Sequence, residues 1–211
     1  MEKLRALLLI SGGFDSPVAG LLAAKKGLEI YCVHFSQVPF ADNTAEEKAF
    51  KLAKLIKAKK FFVVEAGNAF AELSKKCDYK YYFILMKRLM LKVSEQLALK
   101  NSCSALITGE SLGQVSSQTL SNLAVIDSAV RIPVLRPLIG FDKEEIIDIA
   151  RENELYDVSV GRELCDTLGP KHPATKSEQK FILEEEKKVN LKGIVEGLSE
   201  SARERILDLS T

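Results

Sequence analysis

Five short, nearly continuous apolar runs, at residues 5–10, 29–35, 60–65, 104–108 and 132–136, constrain this chain more than any other feature. Such runs suit strands buried on both faces, because a strand with one wet face alternates apolar and polar residues. Helical patterns lie between them, over Pro17 to Lys26, Ala45 to Lys57, about Phe70 to Lys100, and Ser116 to Val130. This alternation predicts an α/β fold: a doubly wound, mostly parallel five-stranded sheet with helices on both faces, binding ligands at the carboxyl ends of its strands. Thr44-Ala45-Glu46-Glu47 and Asp142-Lys143-Glu144-Glu145 read as capping boxes, each opening a helix. With 211 residues, 46% of them hydrophobic, the chain can bury one sizeable core. A main domain over residues 1–176 is expected, with a charged helical extension over 177–211 packed on it or trailing it.

The first run, Leu7-Leu8-Leu9-Ile10, leads into Ser11-Gly12-Gly13-Phe14-Asp15-Ser16-Pro17. A strand, a glycine turn and a helix start are what a phosphate-binding loop needs. Gly12 and Gly13 offer backbone freedom and close approach, while Ser11 and Ser16 offer hydroxyls. Ser16 is the expected N-cap and Pro17 the first helical residue, so the positive helix end faces the same spot. Asp15 is the anomaly, since a carboxylate repels phosphate unless it orients the loop or shares a cation such as Mg²⁺. The spacing fits neither the Gly-Lys-Ser/Thr loop nor the three-glycine dinucleotide turn. A glycine turn without function is the alternative reading of the same residues.

A second polar strand-to-helix segment, Thr108-Gly109-Glu110-Ser111-Leu112-Gly113-Gln114-Val115-Ser116-Ser117-Gln118-Thr119-Leu120, follows the fourth run. Its Gln114 and Gln118 are neutral hydrogen-bond donors suited to a nucleotide's ribose and phosphates, although such a loop need not be functional.

The net charge of +1 argues against a strongly basic nucleic-acid module. No apolar run is long enough to span a bilayer and the Met1-Glu2-Lys3 start lacks a signal-peptide core, so a cytoplasmic protein is expected. Cys32, Cys77, Cys103 and Cys165 show no paired metal or disulfide spacing. Cys32 reads as core, and Cys77 and Cys103 as free thiols at element edges. Cys165 stands apart in the polar segment Arg162-Glu163-Leu164-Cys165-Asp166-Thr167.

The pattern Ser-Gly-Gly-x-Asp-Ser resembles the pyrophosphate loop of the ATP pyrophosphatase superfamily. Together with the Gly109 to Leu120 segment, Pro133-Val134-Leu135-Arg136-Pro137-Leu138-Ile139-Gly140, Phe141-Asp142-Lys143-Glu144-Glu145-Ile146-Ile147 and Cys165-Asp166-Thr167, it closely resembles the ThiI family. These are tRNA 4-thiouridine sulfurtransferases also linked to thiamine biosynthesis. The likeness spans roughly residues 5–176, their pyrophosphatase-type domain.

The resemblance implies that ATP adenylates a uridine carbonyl of tRNA, releasing pyrophosphate, before sulfur displaces AMP. It places ATP on Leu9, Ile10, Ser11, Gly12, Gly13, Asp15, Ser16, His34, Phe35, Gly109 and Gln118, with Asp15 holding Mg²⁺. A basic residue on the long helix meets the phosphates; here the pair is Lys87 followed by Arg88, where the family usually opens with arginine. Cys165 takes the family's sulfur-handling position, which requires a lowered thiol pKa. The Cys-x-x-Cys of some members falls here on Phe83 and Met86, closing that relay. THUMP and rhodanese regions are not expected in this chain, so RNA affinity is expected from a separate THUMP-type protein or from oligomerisation, with a homodimer as one such form. A persulfide protein or sulfide is the expected donor. An enzyme adenylating another acceptor, or a non-catalytic ATP-binding subunit of an RNA-binding partner, are the alternative readings.

Overall fold

In the computed structural model, residues 3–160 and 169–208 are described. Strands β1 (Arg5–Leu9), β2 (Glu29–Ser36), β3 (Lys60–Glu65), β4 (Ala105–Ile107), β5 (Val134–Leu135) and β6 (Arg203–Arg205) form one sheet in the order β5-β4-β1-β2-β3-β6. The first five strands pair in parallel, whereas β6 runs antiparallel to β3, with Phe61 opposite Arg205 and Val63 opposite Arg203. The sheet thus has six strands instead of the five expected. Arg203-Glu204-Arg205 carries no apolar residue to announce a strand, and such a charged sequence is tolerated at a sheet edge. Arg203 and Arg205 anchor it by gripping the buried Glu46 at 2.7 Å each.

Alternate residues of the parallel strands feed two cores, as the apolar runs require. Leu7, Tyr31, Val33, Phe35, Phe62 and Val64 face α3 (Gly67–Lys76), α4 (Tyr82–Lys100), α5 (Leu120–Asp127), α8 (Gln179–Glu186) and α9 (Leu191–Glu200). Ala6, Leu8, Ile10, Ile30, Cys32, Phe61 and Val63 face α1 (Asp15–Lys25), α2 (Thr44–Leu55), α6 (Lys143–Glu152) and α7 (Tyr156–Ser159). The residues beyond 176 therefore add helices to one core and a strand to the sheet.

The helix expected over residues 70–100 is broken. Cys77 is extended, with φ −99° and ψ 165°. Asp78 then accepts from Lys80 N at 3.2 Å and donates its own N–H to Glu185 at 2.6 Å. A short polar side chain competing for local backbone groups ends a helix without glycine or proline. The segment 116–130 likewise divides into a single 3₁₀ turn, Ser116–Gln118, and α5, whose cap Thr119 accepts from Asn122 N at 3.3 Å.

The capping box at α6 forms in both directions, Glu145 N to Asp142 at 2.9 Å and Asp142 N to Glu145 at 2.8 Å. The one expected at Thr44 does not: Thr44 is already helical, Asn43 is the cap without a side-chain bond, and Asp42 accepts from Thr44 N at 2.9 Å. Helix α1 starts at Asp15, ahead of the expected Ser16 cap, because the Ser16 hydroxyl is turned into the loop. Among the described residues, no helix is long and apolar enough to cross a membrane.

Candidate functional site

From β1 the chain winds to β2 and β3, then crosses to β4 and β5 on the other side, so winding reverses between β1 and β4. A doubly wound sheet opens a crevice at the carboxyl ends of the strands flanking such a reversal. The loops after β1 and β4 meet there. Ser16 Oγ accepts from Ser11 N at 2.8 Å and lies 3.0 Å from Ser11 Oγ, which accepts from Gly13 N at 3.3 Å. The two serines thus close the loop on itself. Gly109, after β4, presses against the start of α1: a Cβ there would lie 2.5 Å from Ser16 N, so only glycine fits. Gly12 serves through space and not through unusual backbone angles, since the glycines of positive φ among the described residues are Gly27 and Gly113.

Two clefts adjoin at this loop. The first, about 310 Å³, is lined by Ile10, Ser11, Gly12, Gly13, Asp15, His34 and Phe35, with Lys48, Met86 and Met90 closing it. The second, about 230 Å³, is lined by Leu9, Ser11, Asp15, Ser16, Lys87, Gly109 and Glu110. Most of the expected nucleotide residues are therefore brought together. Because a carbonyl only accepts, the buried His34 donates its Nδ1–H to Ile10 O at 3.1 Å, leaving Nε2 as an acceptor. Burial holds its pKa below the usual histidine value.

Lys87 and Arg88 part company. Lys87 Nζ lies 2.6 Å from Glu110, which also accepts from Arg136 Nε at 2.8 Å and from Thr108 Oγ1 at 3.1 Å. Arg136 forks onto Asp127 at 2.9 and 2.6 Å. Burial pushes the Glu110 carboxyl upward, but the charges of Lys87 and Arg136 outweigh it and hold the group below its usual range. Arg88, only 1% exposed, forks onto Glu186 at 2.7 and 3.1 Å and donates to Val125 O and to Ser128 Oγ. It lines neither cleft, and its expected phosphate contact is corrected to a buried pin holding α8 against α4 and α5.

Gln118 is buried in the segment that follows β4, lines neither cleft, and among the described residues its Oε1 has no hydrogen-bond partner. Gln114 is exposed and stands apart, on a third cleft shared with Lys143. The expected sulfur-handling residue Cys165, with Arg162, lies outside the described residues. Cys32, Cys77 and Cys103 are free and buried; burial raises all three thiols, Cys77 and Cys103 to about 11, so none is a ready thiolate.

Sequence reasoning passed over Lys143, Lys48, Glu110 and Arg136 as site residues. Lys143 Nζ reaches Asp15 Oδ1 at 2.7 Å. Its signal was present, because a lysine directly after a capping-box aspartate is placed by that box. Lys48 on α2 faces Gly12 and donates to Val160 O at 2.9 Å, and nothing in the pattern marks it. Among the described residues, no group of three or more histidine, cysteine, aspartate or glutamate side chains could hold a metal. Asp15 is thus a single carboxylate, which suits Mg²⁺ held mainly by phosphates and water.

Comparison with known proteins agrees with this geometry. The family model described as thiamine biosynthesis protein (ThiI) matches residues 2–191. A probable tRNA sulfurtransferase of Alkaliphilus oremlandii (strain OhILAs) is 41% identical over 203 residues, covering 93% of this chain and 52% of that protein. Another probable tRNA sulfurtransferase, from Caldanaerobacter subterraneus subsp. tengcongensis, is 40% identical over 95% of this chain and 54% of its own length. The chain therefore spans about half the length of the curated relatives it matches. Among solved structures, a 4-thiouridine synthetase crystallised with RNA and bound ATP superimposes with a TM-score of 0.91 at 36% identity, over 95% of this chain and 54% of that one. On the loop, the two clefts and these matches, the chain belongs to the ThiI family.

Proposed function

We propose that this chain is the nucleotide-activating part of an ATP-dependent tRNA sulfurtransferase that forms 4-thiouridine. The observation that carries the reading is the joint lining of two adjoining clefts by the Ser11–Ser16 loop, Asp15, Lys87 and Gly109. A self-closed loop at a helix N-terminus suits phosphates. The name and bound ATP of the 4-thiouridine synthetase support the same assignment.

In this reading, ATP lays its phosphates against the loop and its base toward His34 and Phe35. Lys87 exchanges part of its pairing with Glu110 for the phosphates, supplying charge where pyrophosphate leaves. The uracil O4 attacks the α-phosphorus, the bond to pyrophosphate breaks, and the N3 proton passes to solvent. A sulfur nucleophile then attacks C4, and AMP departs with the former O4. Asp15, steadied by Lys143, is the protein group that would hold Mg²⁺, which supplies charge neutralisation at the phosphates when bound. Cys165 is assigned the handling of sulfur from a persulfide protein, on the family resemblance. RNA affinity comes largely from a THUMP-type region or partner or from a second copy of this chain, in keeping with a net charge of only +1.

The test is Mg²⁺-dependent pyrophosphate release from labelled ATP with unmodified tRNA and a sulfide source. Wild-type chain should release pyrophosphate, whereas Asp15→Ala should lose turnover with its unfolding midpoint retained. ATP binding with neither pyrophosphate nor adenylated RNA, even with a THUMP-type partner added, overturns the reading. Cys165→Ala should block delivery from a protein persulfide and spare free sulfide; equal rates with both donors remove Cys165 from the mechanism.

A further inference from the structure

Beside the two nucleotide clefts lies the third, an open slot of about 450 Å³ walled by Ser111 to Gln114 on one side and Ile139 to Lys143 on the other. Its floor is tied by backbone: Leu112 N donates to Ile139 O at 3.1 Å, and Ser111 Oγ donates to Phe141 O at 2.6 Å. The capping box at Asp142 and Glu145 fixes the second wall. Resting on the thiolation reading, we propose that this slot receives the acceptor, an extrahelical uracil-type base of RNA.

The first argument is continuity. Lys143 belongs to the wall of the slot, and its Nζ sits 2.7 Å from Asp15, which lines both nucleotide clefts. A base in the slot is therefore one side chain away from the phosphates, and Lys143 offers positive charge where an anionic backbone enters. The second is surface chemistry. Leu112 and Ile139 are 45% and 39% exposed, large apolar side chains left in water at the rim of a polar site. Apolar flanks of this kind accept the faces of an unstacked base. The third is the hydrogen-bonding edge. Gln114 is exposed on the slot, and its amide presents one acceptor and one donor group side by side. That pair complements the N3–H and O2 of uracil, leaving O4 free to face the α-phosphate. In that orientation cytosine, which lacks the N3–H, forfeits the bond to the amide oxygen.

The test compares wild-type chain with Gln114→Ala and Leu112→Ser, measuring kcat/KM for unmodified tRNA together with ATP affinity by calorimetry. Losing base contacts should lower kcat/KM for RNA about ten- to hundred-fold while ATP affinity stays within about twofold. RNA carrying 4-thiouridine, itself photoreactive, should crosslink under near-ultraviolet light to residues 111–114 or 139–143. Wild-type turnover with unchanged rates in both variants, or crosslinks confined to other surfaces, overturns the acceptor slot and leaves the thiolation reading standing. A wild-type chain that binds ATP yet never turns RNA over, even with a THUMP-type partner added, overturns that reading, and the slot with it.

Discussion

Two neighbouring residues of α4 belong to different regions of the molecule. Lys87 stands half-buried at the second cleft, held by a carboxylate that is itself shared with Arg136. Arg88 is sealed behind it, its guanidinium spent on Glu186 and on carbonyl and hydroxyl groups of α5 and its end. The difference is one of reach and compensation. A flexible ammonium partly open to solvent can trade one anion for another, whereas a buried guanidinium with a bidentate partner cannot leave without stranding a charge. The site end of this helix is built for exchange and the next residue for permanence.

The strongest challenge to that division is Arg88→Ala. Removing one partner of a buried ion pair should cost about 3–5 kcal/mol in urea unfolding, and pairing the change with Glu186→Leu should recover much of the loss. A raised KM for ATP with unchanged stability would instead return Arg88 to the phosphates. On the other side, Lys87→Met should lower turnover by about two orders of magnitude, as loss of one preorganised charge does, with the unfolding midpoint kept. If stability falls and turnover per folded molecule holds, Lys87 is structural as well.

Glu110→Gln probes the link between the two regions. It should destabilise by about 1–3 kcal/mol by leaving Lys87 and Arg136 without their anion. It should also change the acid limb of stability. The folded Glu110 carboxyl titrates below its ordinary 4.5, so its contribution is present above that pH and lost as pH falls through the depressed value. The Gln variant should lack this part of the acid loss, and an identical acid limb would remove Glu110 from the linkage. The smallest effect belongs to His34, whose proton binds more readily in the unfolded chain. Stability should decline as pH falls below 6.5 toward the depressed folded value, and His34→Asn should remove that slope in pH-dependent thermal melts.

The fold was legible because five apolar runs can be buried on both faces in few other ways. β6 escaped because Arg-Glu-Arg is held by charge to Glu46, a partner remote in sequence. The break at Cys77 and Asp78 escaped for a similar reason, since Glu185 completes it from α8. At the site, Ser11 to Ser16 and Gly109 were readable because backbone approach demands glycine and short hydroxyls. Arg88 was misread because helical spacing does not separate it from its neighbour: it follows buried Ile84 by four residues and Leu85 by three, but Lys87 also follows Ile84 by three and precedes buried Leu91 by four. What no local pattern holds is the partner, Glu186, which lies 98 residues away.

In the proposed function the cleft activates an RNA carbonyl with ATP before sulfur enters. The most direct measurement follows pyrophosphate and 4-thiouridine together, in single-turnover reactions of unmodified tRNA with sulfide. Pyrophosphate should appear first and in equal amount to 4-thiouridine, with AMP released only as sulfur is incorporated. Thiolation without pyrophosphate, or ATP cleavage to ADP and phosphate, would contradict it.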